Sequence, residues 1–310
     1  MNYIEDRLGA RVACSSLYTH HLPAIGSRHL AVTFNDPTAH PAITLLKKHL
    51  RAAHKKKPSQ QKLPASHAML QRTWDHRFDS LRALIHAASA TTAFTLLLRS
   101  KEYSAKKPGA WDPAYQSARR DLVFHGLDDS VLDPSSITAC RQCDLHGFTF
   151  RLGGAWLAAS EIVSHAVLTI HGSKTGGAED WKRSLTPSGN AICALTALLA
   201  LRCLTPTMPE SAPLFSLPGG YVLTYDDVRA HVKWSAAAAG LDPDKYSTHS
   251  YRSGGASHLL AAGVPPDIIK VLGRWRSSCF LDYAVPSVEL FAGLATAATD
   301  PINLRFLSRV

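Results

Sequence analysis

The stretch "STHSYRSGGASHLLAAGVPPDIIKVLGRW" (residues 247–275) limits the fold more than any other part of the chain. A polar pair precedes a helical pattern that stops at Gly263, and two prolines then begin a shorter helical pattern that stops at Gly273. Serine and threonine favour helix N-termini, proline fits a first helical turn, and glycine ends helices. The sequence therefore predicts two short helices, the first able to pack closely on a neighbour through Gly254–Gly255.

Four functional groups follow one another within residues 249–283: the imidazole of His249, the guanidinium of Arg252, the indole of Trp275 and the phenol of Tyr283. His249 and Arg252 are three residues apart, so on a helix they project from one face and can converge on one ligand. Each group alone is typical of an ordinary core or surface position. Their order within one short segment is what indicates a functional site.

The composition is that of a folded, basic protein. Of 310 residues, 45% are hydrophobic and 19% are charged, which predicts a packed core and excludes wholesale disorder. Lysine and arginine (34) exceed aspartate and glutamate (24), which gives a formal net charge of +10. A surplus of this size is typical of proteins that bind a polyanion such as nucleic acid, but it also serves solubility, and composition leaves both interpretations open.

The six cysteines indicate a reducing compartment, because they follow no regular spacing and a chain of this length needs no disulfides. "CRQC" at 140–143 has the spacing of half a zinc site, but no second such pair exists, so two structural thiols are favoured over a metal. The N-terminus lacks the apolar run of a signal peptide. The most apolar segment, 191–204, is interrupted by Arg202 and is too short to span a bilayer, so we expect a soluble, intracellular protein without a membrane partner.

The first part of the chain shows helical periodicity followed by a basic linker. Helices are expected over 15–35 and 41–54. Residues 52–68, "AAHKKKPSQQKLPASHA", are polar, basic and broken by prolines, which is linker composition. A lysine run in this linker suits phosphates, although a solvated surface run is the simpler interpretation. The candidate DNA-binding residues of the run are Lys55, Lys56 and Lys57.

Helices resume at Ser66 and occupy most of the remaining chain. Residues 104–135 are rich in Pro, Asp and Gly and are expected to form loops with at most a short helix. Further helices are expected over 189–203 and from Thr224, where Asp227 completes a capping pair. Strands are expected, with a glycine-rich hairpin turn between the last two, at 136–143, 148–152, 165–174 and 181–186. The predicted fold class is mainly α with a small antiparallel β-sheet (α+β).

The segment "HSYRSGGASHLLAAGVPPDIIKVLGRWRSSCFLDY" resembles the C-terminal signature of the tyrosine recombinase (phage integrase) family. It is most similar to the eukaryotic mobile-element branch, the DIRS-type retrotransposon and Crypton recombinases, in which tryptophan often replaces the second histidine. The resemblance implies the catalytic-domain fold of that family, preceded by a helical (SAM-like) core-binding domain. It covers nearly the whole chain and is weakest at 104–165.

Two further groups that the family requires lie upstream. The family has an arginine at a helix end followed three residues later by an acidic residue, and "LLLRSKEY" supplies Arg99 and Glu102. It also has a lysine on the turn of a β-hairpin, and "LTIHGSKTGG" supplies Lys174. Six family positions are thus filled in order: Arg99, Lys174, His249, Arg252, Trp275 and Tyr283.

The resemblance implies a role in DNA strand breakage for each of these residues. Arg99 and Arg252 would clamp the scissile phosphate with paired donors. Tyr283 would attack the phosphorus and form a 3′-phosphotyrosyl link, Lys174 would protonate the leaving 5′ oxygen, and His249 would handle the proton near the nucleophile.

The remaining two residues would support this chemistry. Trp275 would donate its indole N–H to the phosphate and pack beside the site, although it cannot transfer protons. Glu102 would orient Arg99 or His249. No metal or other cofactor is expected, because the arginines and the lysine supply the positive charge.

Two features depart from the family pattern. Trp275 and Tyr283 are eight residues apart, one fewer than in the pattern that has histidine in place of tryptophan. Only about 50 residues precede the linker. We therefore expect residues 1–57 to hold a remnant of the core-binding domain with the start of the linker, and residues 58–310 to hold the catalytic domain with a C-terminal helix or tail. Such a chain would be a fragment, the product of a gene model with lost exons, or a decayed copy of an element.

The leading hypothesis is a site-specific recombinase that integrates or recombines the DNA of a mobile element. It would act on double-stranded DNA as a homotetramer during synapsis, in the nucleus, or in the cytoplasm or nucleoid of a prokaryotic source. The apolar segment 286–298 would either reach a neighbouring subunit or fold back on its own domain. Two alternatives stay open: a catalytically decayed DNA-binding module and a type IB topoisomerase-like activity.

Overall fold

A computed structural model of the chain describes residues 22–33, 43, 62–143, 147–171 and 180–275. The chain divides into two compact units, Met1–Gln61 and Lys62–Val310. In the first unit, helix α1, Leu22–Thr33, lies within the helix expected over 15–35. The helix expected over 41–54 lies outside the described residues except for Ile43, which is helical.

The described part of the second unit holds helices α2 to α8 and strands β1 to β9. The helices are α2 His67–Asp75, α3 Leu81–Thr95, α4 Ser100–Tyr103, α5 Ala194–Leu204, α6 Tyr225–Ala238, α7 Ser250–Ala261 and α8 Pro266–Gly273. The strands are β1 Leu122–Gly126, β2 Val131–Leu132, β3 Ala139–Cys143, β4 Gly147–Leu152, β5 Ala155–Ala158, β6 Val163–Ile170, β7 Trp181–Leu185, β8 Ser216–Leu217 and β9 Tyr221–Val222. Short 3-10 turns cover Arg119–Asp121, Pro134–Ser136, Ala159–Glu161 and Pro243–Lys245.

Helix α5 forms the centre of the domain. Every residue from Ala194 to Arg202 is buried, so the helix is enclosed on all sides, as its nearly continuous apolar sequence predicts. Helix α3 packs against it and also contacts α7. Its buried face contains Leu84 and Ile85 followed by several alanines, which let neighbouring backbones approach closely. The α3–α5 pair is therefore the support on which the other elements are placed.

The strands pair antiparallel and, within the described residues, form three small sheets. The largest has the order β2-β1-β6-β7. In β1 the side chains alternate between buried and half-buried, with Leu122, Phe124 and Gly126 buried, and β6 lies directly opposite with Leu122 facing Leu168. The sheet β3-β4-β5 contacts α5, and β8-β9 is a two-stranded hairpin. Each of these three sheets contributes buried hydrophobic side chains to the same core as α3 and α5.

The predicted α+β class is confirmed, but the prediction for 104–135 was wrong. This segment contributes β1 and β2 to the largest sheet, whereas loops with at most a short helix were expected. Strand β1 pairs with β6, about 40 residues later in the chain. This long-range pairing stabilises β1, and the polar sequence around β1 does not predict it. One small sheet was expected. The described part of the chain instead contains a four-stranded sheet, a three-stranded sheet and a two-stranded sheet.

The glycine pair in α7 permits the close approach that its sequence predicted. A β-carbon on Gly254 would overlap the backbone of Ala65, and one on Gly255 would overlap the carbonyl of Phe94 at the end of α3. The segment before α2 runs along the start of α7, with the Ala65 N–H donating to the carbonyl of Ser250 at 2.8 Å. Helix α7 is thereby held directly against the end of α3.

Among the residues that the structure describes, no helix combines the length and the apolar character needed to cross a membrane.

Candidate active site

The end of helix α3 brings Arg99 and Glu102 together. After the helix ends at Thr95, Leu97 takes a left-handed backbone conformation (φ 52°) and turns the chain into the one-turn helix α4. The N–H of Arg99 donates to Oε2 of Glu102 at 2.7 Å, and its Nη1 donates to Oε1 at 2.9 Å. The Glu102 side chain is 5% exposed and that of Arg99 is 26% exposed, so the carboxylate is buried while the guanidinium keeps an open side.

Arg252, on helix α7, also lies at the end of α3. Its Nη1 donates to the carbonyl of Leu97, 155 positions earlier in the chain, and its Nη2 donates to the carbonyl of Gly273 at 2.5 Å. Its Cζ lies 4.1 Å from the centroid of the Trp275 ring, within range of a cation–π interaction. The buried Arg252 therefore joins the end of α3 to the end of α8.

A third guanidinium, that of Arg274, completes the group. Arg274 follows α8 in a left-handed conformation (φ 57°), and its side chain is 3% exposed. Its Nη2 lies 2.6 Å from Oε2 of Glu102, and its carbonyl accepts from Nη2 of Arg99 at 3.4 Å. Burial lowers the pKa of Arg274 and the Glu102 carboxylate opposes this effect, so the pairing preserves the charge of the guanidinium.

We call Arg99, Glu102, Arg252, Arg274 and Trp275 the arginine cluster. Three guanidiniums and one carboxylate leave a surplus of two positive charges in a largely buried environment. Guanidinium donors fit the oxygens of a phosphate in pairs, and charge interactions are stronger where water is excluded. The arrangement is therefore suited to binding an anion at the open side of Arg99.

The structure brings together four residues that the sequence predicted, namely Arg99, Glu102, Arg252 and Trp275. His249 is exposed and lies at the N-cap of α7, three residues before Arg252. His249 therefore lies at the start of the helix that carries Arg252, but the side chain of His249 is exposed and that of Arg252 is buried.

The other predicted site residues lie outside the described part of the chain. They are the nucleophile candidate Tyr283, the hairpin lysine Lys174 and the linker residues Lys55, Lys56 and Lys57. Their roles stay predictions.

The two strands that flank Lys174 are described, and His171 joins their ends. Its Nδ1 lies 2.9 Å from Oδ1 of Asp180, and its Nε2 lies 2.8 Å from Oδ2 of Asp121. Burial opposes a charge on the imidazole, but the hydrogen bonds to Asp121 and Asp180 outweigh it and raise the pKa of His171. The end of β6 and the start of β7 are thus joined by a histidine that is hydrogen-bonded to two carboxylates.

Strand β7 also contacts the last turn of α8. Nη2 of Arg183 donates to the carbonyl of Val271 at 3.0 Å. Because Arg274 follows three residues after Val271, β7 is anchored next to the arginine cluster.

Sequence reasoning missed Arg274. An arginine between a glycine and a tryptophan has no distinctive character, and its left-handed backbone cannot be inferred from residue type. One signal was present: Arg274 is nine residues before Tyr283, which is the spacing that the family pattern gives to its second histidine. Arg274, and not Trp275, therefore has the nine-residue spacing from Tyr283 that the family pattern predicts.

A second group of polar side chains is largely buried between α2, α3 and α6. The rings of His86 and His231 are stacked with centroids 4.3 Å apart and planes 4° apart. Nε2 of His231 lies 3.0 Å from Oγ1 of Thr73, which itself donates to the carbonyl of Met69, so His231 is the donor in this pair. The ring of Trp234 lies 5.1 Å from that of His231. Thr73, His86 and His231 are called the histidine cluster below, and Trp234, which is 39% exposed, lies at its edge.

The histidine cluster is neutral at physiological pH. Burial lowers the pKa of His86 to about 4 and that of His231 well below its usual range, and the proximity of His86 lowers the latter further. Neutral rings stacked on one another are typical of core packing, so the arginine cluster is the better candidate for an active site.

No protein-family model and no curated protein matches the chain in sequence. Solved structures match its backbone. The crystal structure of XerA recombinase aligns over 96% of this chain and 96% of its own at 12% identity, with a TM-score of 0.47. The XerH site-specific recombinase bound to difH substrate aligns over 76% of this chain and 54% of its own, about half its length, at 15% identity and a TM-score of 0.44. The Tn1549 transposon integrase in complex with circular intermediate DNA aligns over 96% of this chain and 83% of its own at 9% identity and a TM-score of 0.48.

Proposed function

We propose that this chain is a tyrosine recombinase that breaks and rejoins double-stranded DNA through a phosphotyrosyl intermediate. The observation that carries the proposal is the arginine cluster. Arg99 and Arg252, which the sequence resemblance assigns to one phosphate, donate to the carbonyls of the adjacent residues Arg274 and Gly273. Two guanidiniums held side by side match the oxygens of a phosphodiester, and the net charge of +10 favours a polyanionic partner.

In the proposed reaction the phenolic oxygen of Tyr283 attacks the scissile phosphorus and the bond to the 5′ oxygen breaks. His249 accepts the proton of the phenol, and Lys174 donates a proton to the departing 5′ oxygen. The products are a 3′-phosphotyrosyl link and a free 5′-hydroxyl. A 5′-hydroxyl from a second strand then attacks the link, which restores a phosphodiester and releases Tyr283, so no external energy source is consumed.

The arginine cluster would stabilise the negative charge that grows on the nonbridging oxygens in the transition state. The side chain of Arg99 is 26% exposed, and the Glu102 carboxylate fixes this residue by accepting one hydrogen bond from its backbone N–H and one from its guanidinium. Preorganised donors of this kind cost no rearrangement at the moment of reaction, and losing one typically slows a reaction about 100- to 1000-fold.

The decisive experiment is a covalent-adduct assay. Wild-type protein is mixed with DNA that carries a nick near the cleavage position, so that the short fragment with the free 5′-hydroxyl diffuses away and the 3′-phosphotyrosyl product is trapped. We expect a protein–DNA adduct that resists denaturant. Tyr283→Phe should abolish the adduct, and Arg99→Gln should slow its formation about 100-fold or more because one phosphate donor is lost.

Tyr115→Phe is the matched control, because Tyr115 is an exposed tyrosine (51%) outside the proposed site. It should form adduct at the wild-type rate. Adduct formation by Tyr283→Phe at the wild-type rate would contradict the assignment of the nucleophile. Absence of adduct from wild-type protein that still binds DNA would favour the non-enzymatic DNA-binding module.

The finer features of the proposal follow from the sequence resemblance alone. They are a role in integration or recombination of a DIRS-type or Crypton-like mobile element, assembly as a homotetramer on DNA, and action in the nucleus. A topoisomerase-like enzyme would instead relax supercoiled DNA as a monomer without exchanging strands between two sites. Sedimentation with and without paired DNA sites, together with a relaxation assay, separates these possibilities.

A further inference from the structure

A second stacked pair of histidines joins β1 and β6 in the largest sheet. His125 on β1 and His165 on β6 are directly opposite in the antiparallel register, and their rings are parallel within 4° with centroids 4.4 Å apart. Asp129 follows in the turn between β1 and β2, and its Oδ1 lies 3.6 Å from Nδ1 of His165. One ligand atom from each of the three residues lies within 4.8 Å of the other two.

The hydrogen bonds of the pair define which ring nitrogens carry protons when the imidazoles are neutral. Nδ1 of His125 lies 3.1 Å from the carbonyl oxygen of Asp129, which can only accept, so this nitrogen is a donor. The hydroxyl of Ser164 donates to the carbonyl of His125 and is therefore the acceptor for Nδ1 of His165 at 3.0 Å. Both rings are thus held by Nδ1–H bonds and carry their lone pair on Nε2. Metal-binding histidines are commonly oriented by such bonds.

The local backbone is also shaped around these residues. Asp129 has a left-handed conformation (φ 66°), which is uncommon for a residue other than glycine. The β1–β6 register shifts immediately after His125, and β-bulges of this kind often redirect side chains next to functional sites. The side chain of Asp129 is 81% exposed and that of His165 is 27% exposed, so an ion can reach them from solvent.

We propose that His125, Asp129 and His165 form a binding site for a divalent transition-metal ion, with zinc as the best match. Two imidazoles and one carboxylate are a borderline ligand set that suits zinc rather than magnesium or calcium. Three protein ligands leave the fourth tetrahedral position to water. Zinc–nitrogen bonds of about 2.0 Å place ligand atoms roughly 3.3 Å apart, so the ligand atoms must approach by up to about 1.5 Å. The stacked imidazoles must turn so that their Nε2 atoms converge, and the exposed Asp129 carboxylate must move from Nδ1 of His165 toward them.

The ion would cross-link β1, β6 and the turn that follows β1. None of the three ligand residues has a role in the proposed cleavage reaction, and His165 lies five positions before Ile170, the last residue of β6, or about 17 Å along the strand. The proposed site therefore does not take part in the proposed cleavage reaction, and it stands or fails independently of that reaction. Its effect would be to stabilise the sheet whose other end carries the β6–β7 hairpin.

The test is a zinc titration of the full chain without an affinity tag, after removal of metals by a chelator. Calorimetry should show about one equivalent bound with micromolar affinity, and cobalt in place of zinc should give the visible absorption of a tetrahedral site. His125→Gln and His165→Gln should each weaken this binding about 100-fold or more, and Asp129→Asn about tenfold. Zinc should raise the melting temperature of the wild type and leave that of both histidine variants unchanged.

His76→Gln is the matched control, because His76 also lies beside a carboxylate, Asp79 at 2.7 Å, but without a second histidine across a strand pair. It should bind zinc like the wild type. The proposal is wrong if the wild type takes up no zinc at about 100 μM, or if His125→Gln and His165→Gln retain the wild-type affinity. Circular dichroism without metal checks the fold. If the histidine variants do not fold, Asp129→Asn decides, since the exposed side chain of Asp129 can be changed without disturbing the core.

Discussion

The arginine cluster and the histidine cluster are both largely removed from solvent, but only the first is charged. In the arginine cluster, a carboxylate hydrogen-bonded to Arg99 and Arg274 compensates the loss of water. In the histidine cluster, His231 has a hydroxyl partner and a second imidazole, and burial lowers the pKa of both rings. The comparison teaches that burial alone does not decide the charge state in this domain. The kind of side chain decides it as well, because a guanidinium keeps its charge when buried, whereas a buried imidazole beside a hydroxyl and a second imidazole is neutral.

The largest expected effect comes from removing the carboxylate of Glu102. Glu102→Gln leaves the buried guanidinium of Arg274 without its negative partner, and we expect the free energy of unfolding to fall by about 3–5 kcal/mol. Urea unfolding followed by circular dichroism measures the change. Glu210→Gln is the control, because Glu210 also binds a buried arginine, Arg202, but is 58% exposed. That control should cost no more than about 1 kcal/mol, and equal losses in the two variants would show that the burial of Glu102 is not decisive.

A second prediction tests the neutrality of the histidine cluster. His86 has a folded-state pKa of about 4, below the value of about 6.5 in the unfolded chain. As the pH falls from 6.5, the unfolded state takes up a proton that the folded state does not, so stability decreases until the pH reaches the folded pKa. Between pH 6.5 and 5 we expect a loss of about 2 kcal/mol from His86. Urea unfolding at several pH values should show a shallower slope for His86→Gln, and an unchanged slope would mean that His86 is already charged when folded.

The smallest expected effect concerns His171. This histidine differs from those of the histidine cluster because it has two carboxylate partners. Its folded pKa is raised, so its stabilising contribution is complete below the unfolded pKa and is lost as the pH rises through the folded pKa. We expect stability to decline slightly as the pH rises above about 6.5, and His171→Gln to remove this decline. An NMR titration of the imidazole measures the pKa directly. A value at or below 6.5 would contradict the prediction.

The sequence predicted the local structure around the arginine cluster because local chemistry determines it. The glycines and prolines that bound α7 and α8 set their ends, and Thr224 caps α6 with Asp227 as expected, its hydroxyl accepting from the Asp227 N–H at 3.2 Å. The convergence of Arg99 on Arg252 was expected from a family resemblance. No local pattern brings together residues so distant in sequence.

The features that were missed depend on long-range contacts. Strand β1 was taken for a loop because its pairing with β6 supplies the stabilisation that its polar neighbours do not. The same pairing creates the His125–His165 site, so it could not be found before the register was known. Arg274 was missed because burial and a left-handed backbone determine its role, and neither is encoded by its residue type.

The two left-handed residues at the arginine cluster, Leu97 and Arg274, bear on the order in which the domain is assembled. Side chains other than glycine disfavour this backbone by roughly 1–2 kcal/mol, so no local preference produces it in an unfolded chain. The carbonyl of Leu97 accepts from Arg252 and that of Arg274 from Arg99, and both bonds require α3, α7 and α8 to be in contact. The anion-binding geometry therefore exists only in the docked domain, and a nascent or partly folded chain does not expose a competent site.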